Sequence, residues 1–355
     1  MKEEKVLNKK KRDILKKGTV IPAHPLALNE KRELDEVHQQ ALTRYYTTAG
    51  AGGLAVGVHT TQFEIRDYGL LEPVLELVST TLKEQNKDNS IIKIAGICGD
   101  LDQSIQEAEL AREKGYDLGL LSMGNLDHLT EKQLIARTRK IGEIIPVFGF
   151  YLQPAVGGRY LSYEFWKEFC EIKKVKAIKV APFDRYETLK VVKAVCFSSR
   201  TDEIALYTGN DDNIVNDLVT SYRFKVKGEY IEKDFAGGLL GQWAVWTKKS
   251  VELLEKIKEI KKNNKQISRE ILILGGEITE ANSAIFDSEN KFQGCIPGIH
   301  EILRRQGLLK GRWCLDPEEK LSPGQLAKID EIYESYPHLN DDNFVKENLG
   351  KWKQQ

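Results

Sequence analysis

The stretch IIKIAGICGDLDQSIQEAELAREKGYDLGLL, residues 91–121, contains one repeat of the pattern that decides the fold. A short apolar run at 91–95 is followed by an amphipathic helical pattern over 102–114 and by a second apolar run at 117–121. Apolar runs of strand length that alternate with patterns of helix length predict β–α–β units. Consecutive strands are then expected to lie parallel in one sheet.

The same alternation extends in both directions from this repeat. Further strand-like runs lie at 19–21, 54–58, 146–151, 175–180, 204–208 and 236–240. The total of eight is the number that a (β/α)8 TIM barrel requires. A doubly wound open sheet shares the alternation, but the G-x-G-x-x-G turn expected after its first strand is missing from the sequence. We therefore predict an α/β protein with a (β/α)8 TIM barrel.

The sequence after the eighth run has a different character. Helical patterns lie around 267–285, 299–306 and 323–335, and no Pro-rich or Gly/Ser-rich linker precedes them. We predict a barrel with an N-terminal helical arm at 1–262 and a C-terminal helical extension, packed on the barrel, at 263–355.

Composition excludes several classes of protein. The 355 residues include 53 basic and 53 acidic side chains, a formal net charge of +0, which argues against a nucleic-acid partner. No apolar run approaches the ~20 residues that cross a bilayer. The five cysteines form no C-x-x-C pair, and the Lys-rich N-terminus lacks the apolar segment of a secretory signal. These features predict a cytoplasmic protein without a membrane partner.

Lys179 is the strongest candidate for a catalytic residue. It lies near the end of the sixth run, VKAIKVA at 175–181, where the catalytic residues of such barrels are found. Alternation places Val175, Ala177 and Lys179 on one face of that strand. A lysine removed from water has a lowered pKa and becomes a nucleophilic amine, as carbonyl-condensing enzymes require. The alternative is a lysine that reaches out to solvent at the strand end.

Other candidates follow neighbouring runs. Tyr151 ends the fifth run and shares a face with Gly149, so its phenol could exchange protons during imine formation, although a packing tyrosine is more common. Thr60 and Thr61 follow the second run, where two hydroxyls and their amides can hold a carboxylate or a phosphate. His24, His59 and His128, with Asp100, Asp184 and Asp211, leave open a metal-dependent hydrolase, but H-x-H and H-E-x-x-H are both missing.

Taken in order along the chain, these segments resemble the dihydrodipicolinate synthase and N-acetylneuraminate lyase family of class I, Schiff-base pyruvate aldolases. The resemblance covers about 19–309. Its motifs are Val58-His59-Thr60-Thr61-Gln62-Phe63 (family G-T-T-G-E), Ile94-Ala95-Gly96-Ile97-Cys98-Gly99 (A-G-x-G), Tyr151-Leu152-Gln153-Pro154 (Y-N-x-P), Ile178-Lys179-Val180-Ala181 (I-K-x-A/S), Gly209-Asn210-Asp211 (G-x-D) and Gly237-Gly238-Leu239-Leu240 (G-x-I-S).

The resemblance implies roles for these residues. Lys179 would form the Schiff base and Tyr151 would relay protons, while Thr60 and Thr61 would hold the carboxylate of a pyruvate-like substrate. Gly209 and Leu240 would line the pocket, with His59 beside them. The resemblance also implies a homodimer or homotetramer that needs neither a metal nor an organic cofactor.

The sequence departs from the family at several of these positions. His59, Gln62 and Phe63 replace Gly, Gly and Glu of the G-T-T-G-E turn, and the loop after the fourth run lacks the usual tyrosine. His59, Asp127 and His128 are candidates for the missing proton relay. Val156 stands where the synthase has an arginine, although Arg159 is near.

We therefore expect a lyase, an aldolase or a dehydratase, that acts on a 2-oxo acid such as pyruvate or a 2-keto-3-deoxy sugar acid. The alternatives are a barrel that has lost turnover and binds a keto acid or sugar and, third, the metal-dependent hydrolase.

Overall fold

The computed structural model describes residues 7–85, 87–263 and 265–354, and all structural statements below refer to them. Its strands are β1 (Val20–Pro22), β2 (Gly53–Val56), β3 (Ile92–Ile97), β4 (Leu118–Leu121), β5 (Val147–Leu152), β6 (Val175–Ala181), β7 (Ala205–Thr208), β8 (Ser221–Val226) and β9 (Glu229–Leu240). Its α-helices are α1 (Lys9–Lys17), α2 (Glu36–Ala49), α3 (Leu71–Glu84), α4 (Leu101–Glu113), α5 (Glu131–Ile144), α6 (Tyr163–Cys170), α7 (Arg185–Phe197), α8 (Ile214–Val219), α9 (Thr247–Lys262), α10 (Arg269–Ile285), α11 (Cys295–Arg305), α12 (Gln325–Ser335) and α13 (Asp342–Trp352).

The strand order defines the fold class. The strands of the described residues follow one another as β1-β9-β7-β6-β5-β4-β3-β2, and β8 pairs antiparallel with β9 outside this series. Eight parallel strands with helices between them form a (β/α)8 barrel, so the predicted fold is confirmed. Each predicted run coincides with one of these strands. The C-terminal helices follow, as expected.

The chain divides into two compact units, which are described separately. The first comprises residues 92–239 together with the N-terminal residues up to 19. Side chains of β3, β4 and β5 are buried on both faces, as expected for parallel strands covered by helices. Helices begin soon after the strands because Asp100, Thr130, Ser162 and Asp184 cap their first turns with side-chain oxygens.

Helix α1 lies in the region predicted to form an N-terminal helical arm; residues 1–6 of that region lie outside the described residues, and the arm as part of a 1–262 domain stays a prediction. The buried Lys11 Nζ donates to Asp117 Oδ2 at 2.7 Å, and the Tyr207 hydroxyl donates to the Leu15 carbonyl at 2.9 Å. At the end of α1, Gly18 has φ +83°, and a Cβ there would lie 1.6 Å from the Ala236 carbonyl oxygen. Glycine is therefore required where α1 meets β9.

The second unit comprises residues 20–91 and the chain from 240 onward. Strands β1 and β2 lead into a parallel bridge between Ala23 and Ala55, where the His24 amide donates to the Ala55 carbonyl at 2.8 Å. The predicted helical extension at 263–355 lies within this unit, and its boundary at residue 263 stays a prediction.

Asp341 is the hydrogen-bonding centre of the second unit. Its carboxylate accepts from the Tyr45 hydroxyl at 2.7 Å, from the Gln306 amide at 2.8 Å and from the Lys248 backbone N–H at 3.0 Å. These contacts join α2, α9 and the residue that follows α11 to the start of α13. Among the described residues, no helix combines the length and the apolar character needed to cross a membrane.

Candidate active site

Lys179 lies in the interior of the first unit, next to the carboxyl end of β6. In the strand register it pairs with Phe150 of β5 and Tyr207 of β7. Its exposed fraction is 8%, and burial lowers the pKa of its ammonium group to about 8, an effect that the negative charge of Asp211 partly opposes. Roughly a tenth of the amine is therefore unprotonated at pH 7, far more than for an ordinary lysine.

Two neighbours define the space around this lysine. The Phe150 ring centroid lies 4.4 Å from Nζ, a cation–π contact. On the other side, a Cβ at Gly209 would lie 2.6 Å from Lys179 Cε, so any side chain at position 209 would displace the lysine. The backbone N–H of Gly209 donates to the Val180 carbonyl at 2.8 Å, which fixes this approach. The structure therefore brings Lys179 and Gly209 together.

The turn after β7 is held by a buried carboxylate. Asp217 is fully buried; its carboxylate accepts from the Thr208 hydroxyl at 2.6 Å, from Asn210 Nδ2 at 2.9 Å and from the Arg185 guanidinium. Asn210 Oδ1 also accepts from the Phe183 N–H at 3.0 Å. These bonds make the turn at 209–211 rigid.

The Tyr151 side chain lies on the opposite face of the sheet from the side chains of Phe150 in β5 and Lys179 in β6. Its hydroxyl donates to Glu187 Oε2 in α7 at 2.5 Å, and its ring packs on Trp166 of α6 with the centroids 5.1 Å apart. Burial and the Glu187 carboxylate raise the pKa of its phenol well above the usual value. The structure thus does not bring Tyr151 and Lys179 together. Side chains alternate along a strand, and it is Phe150 that lies on the same face of the sheet as Lys179.

Thr60 and Thr61 lie in the second unit, in a 3₁₀ turn at His59–Thr61. Thr60 Oγ1 donates to the Ala23 carbonyl at 2.8 Å, and Thr61 Oγ1 donates to the His24 carbonyl at 2.7 Å. Both hydroxyl groups therefore donate their protons to backbone carbonyls of the segment that follows β1. Any carboxylate here would be bound by other donors of the turn.

The turn around this threonine pair differs in sequence from the family motif, and one of its residues has an unfavourable backbone conformation. Gln62 has φ +65°, a backbone conformation that favours the glycine of the family motif. Its Oε1 accepts from the Leu315 N–H at 2.6 Å, which compensates for the unfavourable backbone. The half-buried His59 ring lies 5.8 Å from the Phe63 ring. Leu240, also in the second unit, is buried, and its carbonyl accepts from the Ala23 N–H at 3.3 Å.

The remaining candidates have other surroundings. His24 is buried and bonded to the Thr43 hydroxyl at 2.9 Å, and burial lowers its pKa to about 4. Asp127 and His128 are exposed. Arg159 donates to the carbonyls of Leu126 at 2.7 Å and Leu129 at 3.0 Å. Across the described ranges, no cluster of three or more His, Cys, Asp or Glu side chains is arranged to hold a metal ion.

Sequence reasoning did not single out three side chains that shape the site: Phe150, Glu187 and Asn210. Phe150 directly precedes the quoted motif that begins at Tyr151, and Asn210 stands inside the G-x-D turn, so the sequence could have indicated both. Nothing in the sequence signals the Tyr151–Glu187 contact, which spans 36 residues.

The fold is similar to that of several solved structures, all at low sequence identity. A dihydrodipicolinate synthase from Oceanobacillus iheyensis superposes with a TM-score of 0.71 at 19% identity, over 92% of this chain and 99% of that one. An N-acetylneuraminate lyase from Fusobacterium nucleatum, complexed with pyruvate, gives 0.69 at 17% identity, over 92% and 99%.

A prophage protein of the dihydrodipicolinic acid synthase family from E. coli K12, also in complex with pyruvate, gives a TM-score of 0.71 at 15% identity, over 90% of this chain and 97% of that one. No model of a known protein family matches the sequence. No curated protein sequence matches it significantly. The chain is thus similar in fold to dihydrodipicolinate synthases and N-acetylneuraminate lyases, as the sequence motifs suggested, at low sequence identity.

Proposed function

We propose that this protein is a class I lyase that acts on a 2-oxo acid through a Schiff base at Lys179. The observation that carries the proposal is a buried lysine near the carboxyl end of β6, with its pKa lowered to about 8 and its side chain fitted against Gly209. A structural lysine at a strand end would be expected to reach solvent instead.

The chemistry follows from this environment. The unprotonated amine attacks the 2-keto carbon, and loss of water leaves a protonated imine. The imine withdraws electrons from the neighbouring carbon and so stabilises an enamine, formed either by cleavage of a C–C bond or by loss of a proton. The enamine can then add an aldehyde or expel a β-hydroxyl group.

For the substrate we propose pyruvate or a 2-keto-3-deoxy sugar acid. Two of the similar solved structures are complexes with pyruvate. Dihydrodipicolinate synthesis itself is disfavoured, since Val156 replaces the arginine of the synthase and the Arg159 guanidinium is engaged with loop carbonyls. On the resemblance alone, we propose that the turn at Thr60 and Thr61 holds the substrate carboxylate.

One observation favours a second candidate, a barrel that binds a keto acid or sugar without turnover. Phe150, which covers the Lys179 amine, has no hydroxyl to exchange protons, and Tyr151 faces α6 and α7. In this case the lysine would contribute charge to ligand binding without forming a covalent bond.

Reductive trapping separates the two candidates. The protein is incubated with pyruvate, and separately with 2-keto-3-deoxy sugar acids, in the presence of borohydride, and adducts are located by peptide mass. We expect an adduct on Lys179, its loss in Lys179→Met, and its retention in Lys176→Met, a matched control on the same strand. Calorimetric binding of the same acids without an adduct would instead support the non-catalytic protein.

A further inference from the structure

Imine formation at Lys179 requires a group that moves protons between the amine nitrogen and the departing oxygen. The two aromatic residues at the end of β5 do not supply it, since Phe150 lacks a hydroxyl and the Tyr151 hydroxyl is bonded to Glu187 on the other face of the strand. We propose that Asp211 is the catalytic residue that exchanges protons with Lys179, an assignment that rests on the proposed imine mechanism.

The path of the lysine side chain brings it to the turn that carries Asp211. Lys179 Cε lies 2.6 Å and Cγ lies 3.0 Å from the position that a Cβ at Gly209 would take, two residues before Asp211. The Asp211 N–H donates to the Gly209 carbonyl at 3.1 Å, so the backbone turns tightly at this point. Asp211 is 8% exposed, although it lies in a loop.

The electrostatics agree with this placement. The negative charge of Asp211 raises the pKa of Lys179 against the larger effect of burial. The buried Asp217 holds Asn210 and Thr208, one on each side of Gly209.

Asp211 would transfer protons at each stage of imine formation. The Asp211 carboxylate takes a proton from the Lys179 ammonium, and the amine lone pair then attacks the 2-keto carbon, whose C=O π electrons move to oxygen. Asp211 passes its proton to that oxygen, accepts a second proton from the nitrogen and delivers it to the hydroxyl group. The C–O bond breaks, water leaves, and a protonated imine with one N–H remains.

The test is the rate of reductive trapping by pyruvate in Asp211→Asn, with Asp212→Asn as the matched control because Asp212 is the adjacent, exposed carboxylate. We expect Asp211→Asn to slow adduct formation by about 10²-fold, the usual contribution of a general acid–base group, while Asp212→Asn keeps the wild-type rate. Asp211→Glu, which keeps a carboxylate, should recover part of the rate. Trapping of Asp211→Asn at the wild-type rate would overturn the proposal.

A second measurement is independent of any 2-oxo acid. The pH dependence of acetylation at Lys179, followed by peptide mass, reports the pKa of the amine. Removal of the Asp211 charge should lower that pKa, and an unchanged profile would show that the two groups do not face each other. If wild-type protein gives no adduct with any acid tested, the proposed function fails and the catalytic role of Asp211 with it. The acetylation profile then still shows whether the carboxylate faces the amine.

Discussion

The lowered pKa of Lys179 makes imine formation sensitive to pH. The amine attacks only when it is unprotonated, so the trapping rate should rise with pH and level off above about 8, where the amine is mostly free. An exposed lysine would give a rate that still increases towards pH 10. We expect the plateau in a series of trapping rates from pH 6 to 10, and a steady increase to the upper end would contradict the buried environment of Lys179.

Substitution of Tyr151 tests whether this residue relays protons to Lys179, as the family resemblance implies. In Tyr151→Phe the trapping rate at Lys179 should stay near the wild-type value, because the lost hydroxyl faces α6 and α7. The free energy of unfolding should fall by roughly 1–3 kcal/mol because the buried bond to Glu187 is lost. Urea denaturation measures the second effect, with the exposed Tyr186→Phe as control. A loss of trapping near 10²-fold would restore Tyr151 as the proton relay.

The surroundings of Lys179 could be predicted from the sequence only in part. Alternation correctly placed Tyr151 with Gly149 and Lys179 with Ala177, since the period of a strand is fixed. It cannot tell which face of one strand meets which face of the next. That relation depends on the register between β5 and β6, which shifts at Val147/Phe148, and this register pairs Phe150 with Lys179. The motif match therefore led to the end of β5, where Phe150 contacts the lysine, and the role of Tyr151 as a proton relay stays a prediction.

At the scale of elements, the turn between β7 and α8 depends on the buried carboxylate of Asp217. Asp217→Ala removes the acceptor of the Thr208 hydroxyl and the Asn210 amide, which leaves buried donors unpaired. We expect the free energy of unfolding to fall by about 3 kcal/mol. Urea denaturation measures this change, with the exposed Asp202→Ala as control, and equal denaturation midpoints for the two variants would contradict it.

Elements were predictable to different degrees. The runs that became parallel strands are apolar because one face of each strand meets the barrel interior and the other meets the helices, and that pattern is visible in the sequence. The hairpin of β8 with the first half of β9 was missed. No position of strand β8 is fully buried, but Tyr222, Phe224 and Val226 alternate with Ser221, Arg223 and Lys225 before the turn at Lys227–Gly228. A search for continuous apolar runs does not detect this alternating pattern, although it is typical of a half-buried strand. Only the buried end of β9, near 236–240, was found.

Asp341 joins parts of the second unit that are remote from one another in the chain. In Asp341→Ala the Tyr45 hydroxyl and the Gln306 amide lose their acceptor in a buried site. We expect the free energy of unfolding to fall by about 3 kcal/mol in urea denaturation. Glu347→Ala, an exposed carboxylate on α13, is the control and should unfold as the wild type does. An Asp341→Ala midpoint equal to that of the control would contradict this role.

The link between Gln62 and Leu315 has a consequence for biosynthesis. The side chain that stabilises the strained turn after β2 finds its partner 253 residues later. At about 5–20 residues per second, a ribosome takes on the order of ten seconds or more to reach that partner. During this interval the Thr60–Thr61 turn lacks one of its supports, whereas the contacts around Lys179 lie between residues 150 and 211. The nascent chain should therefore acquire its reactive amine before the threonine turn reaches its final form.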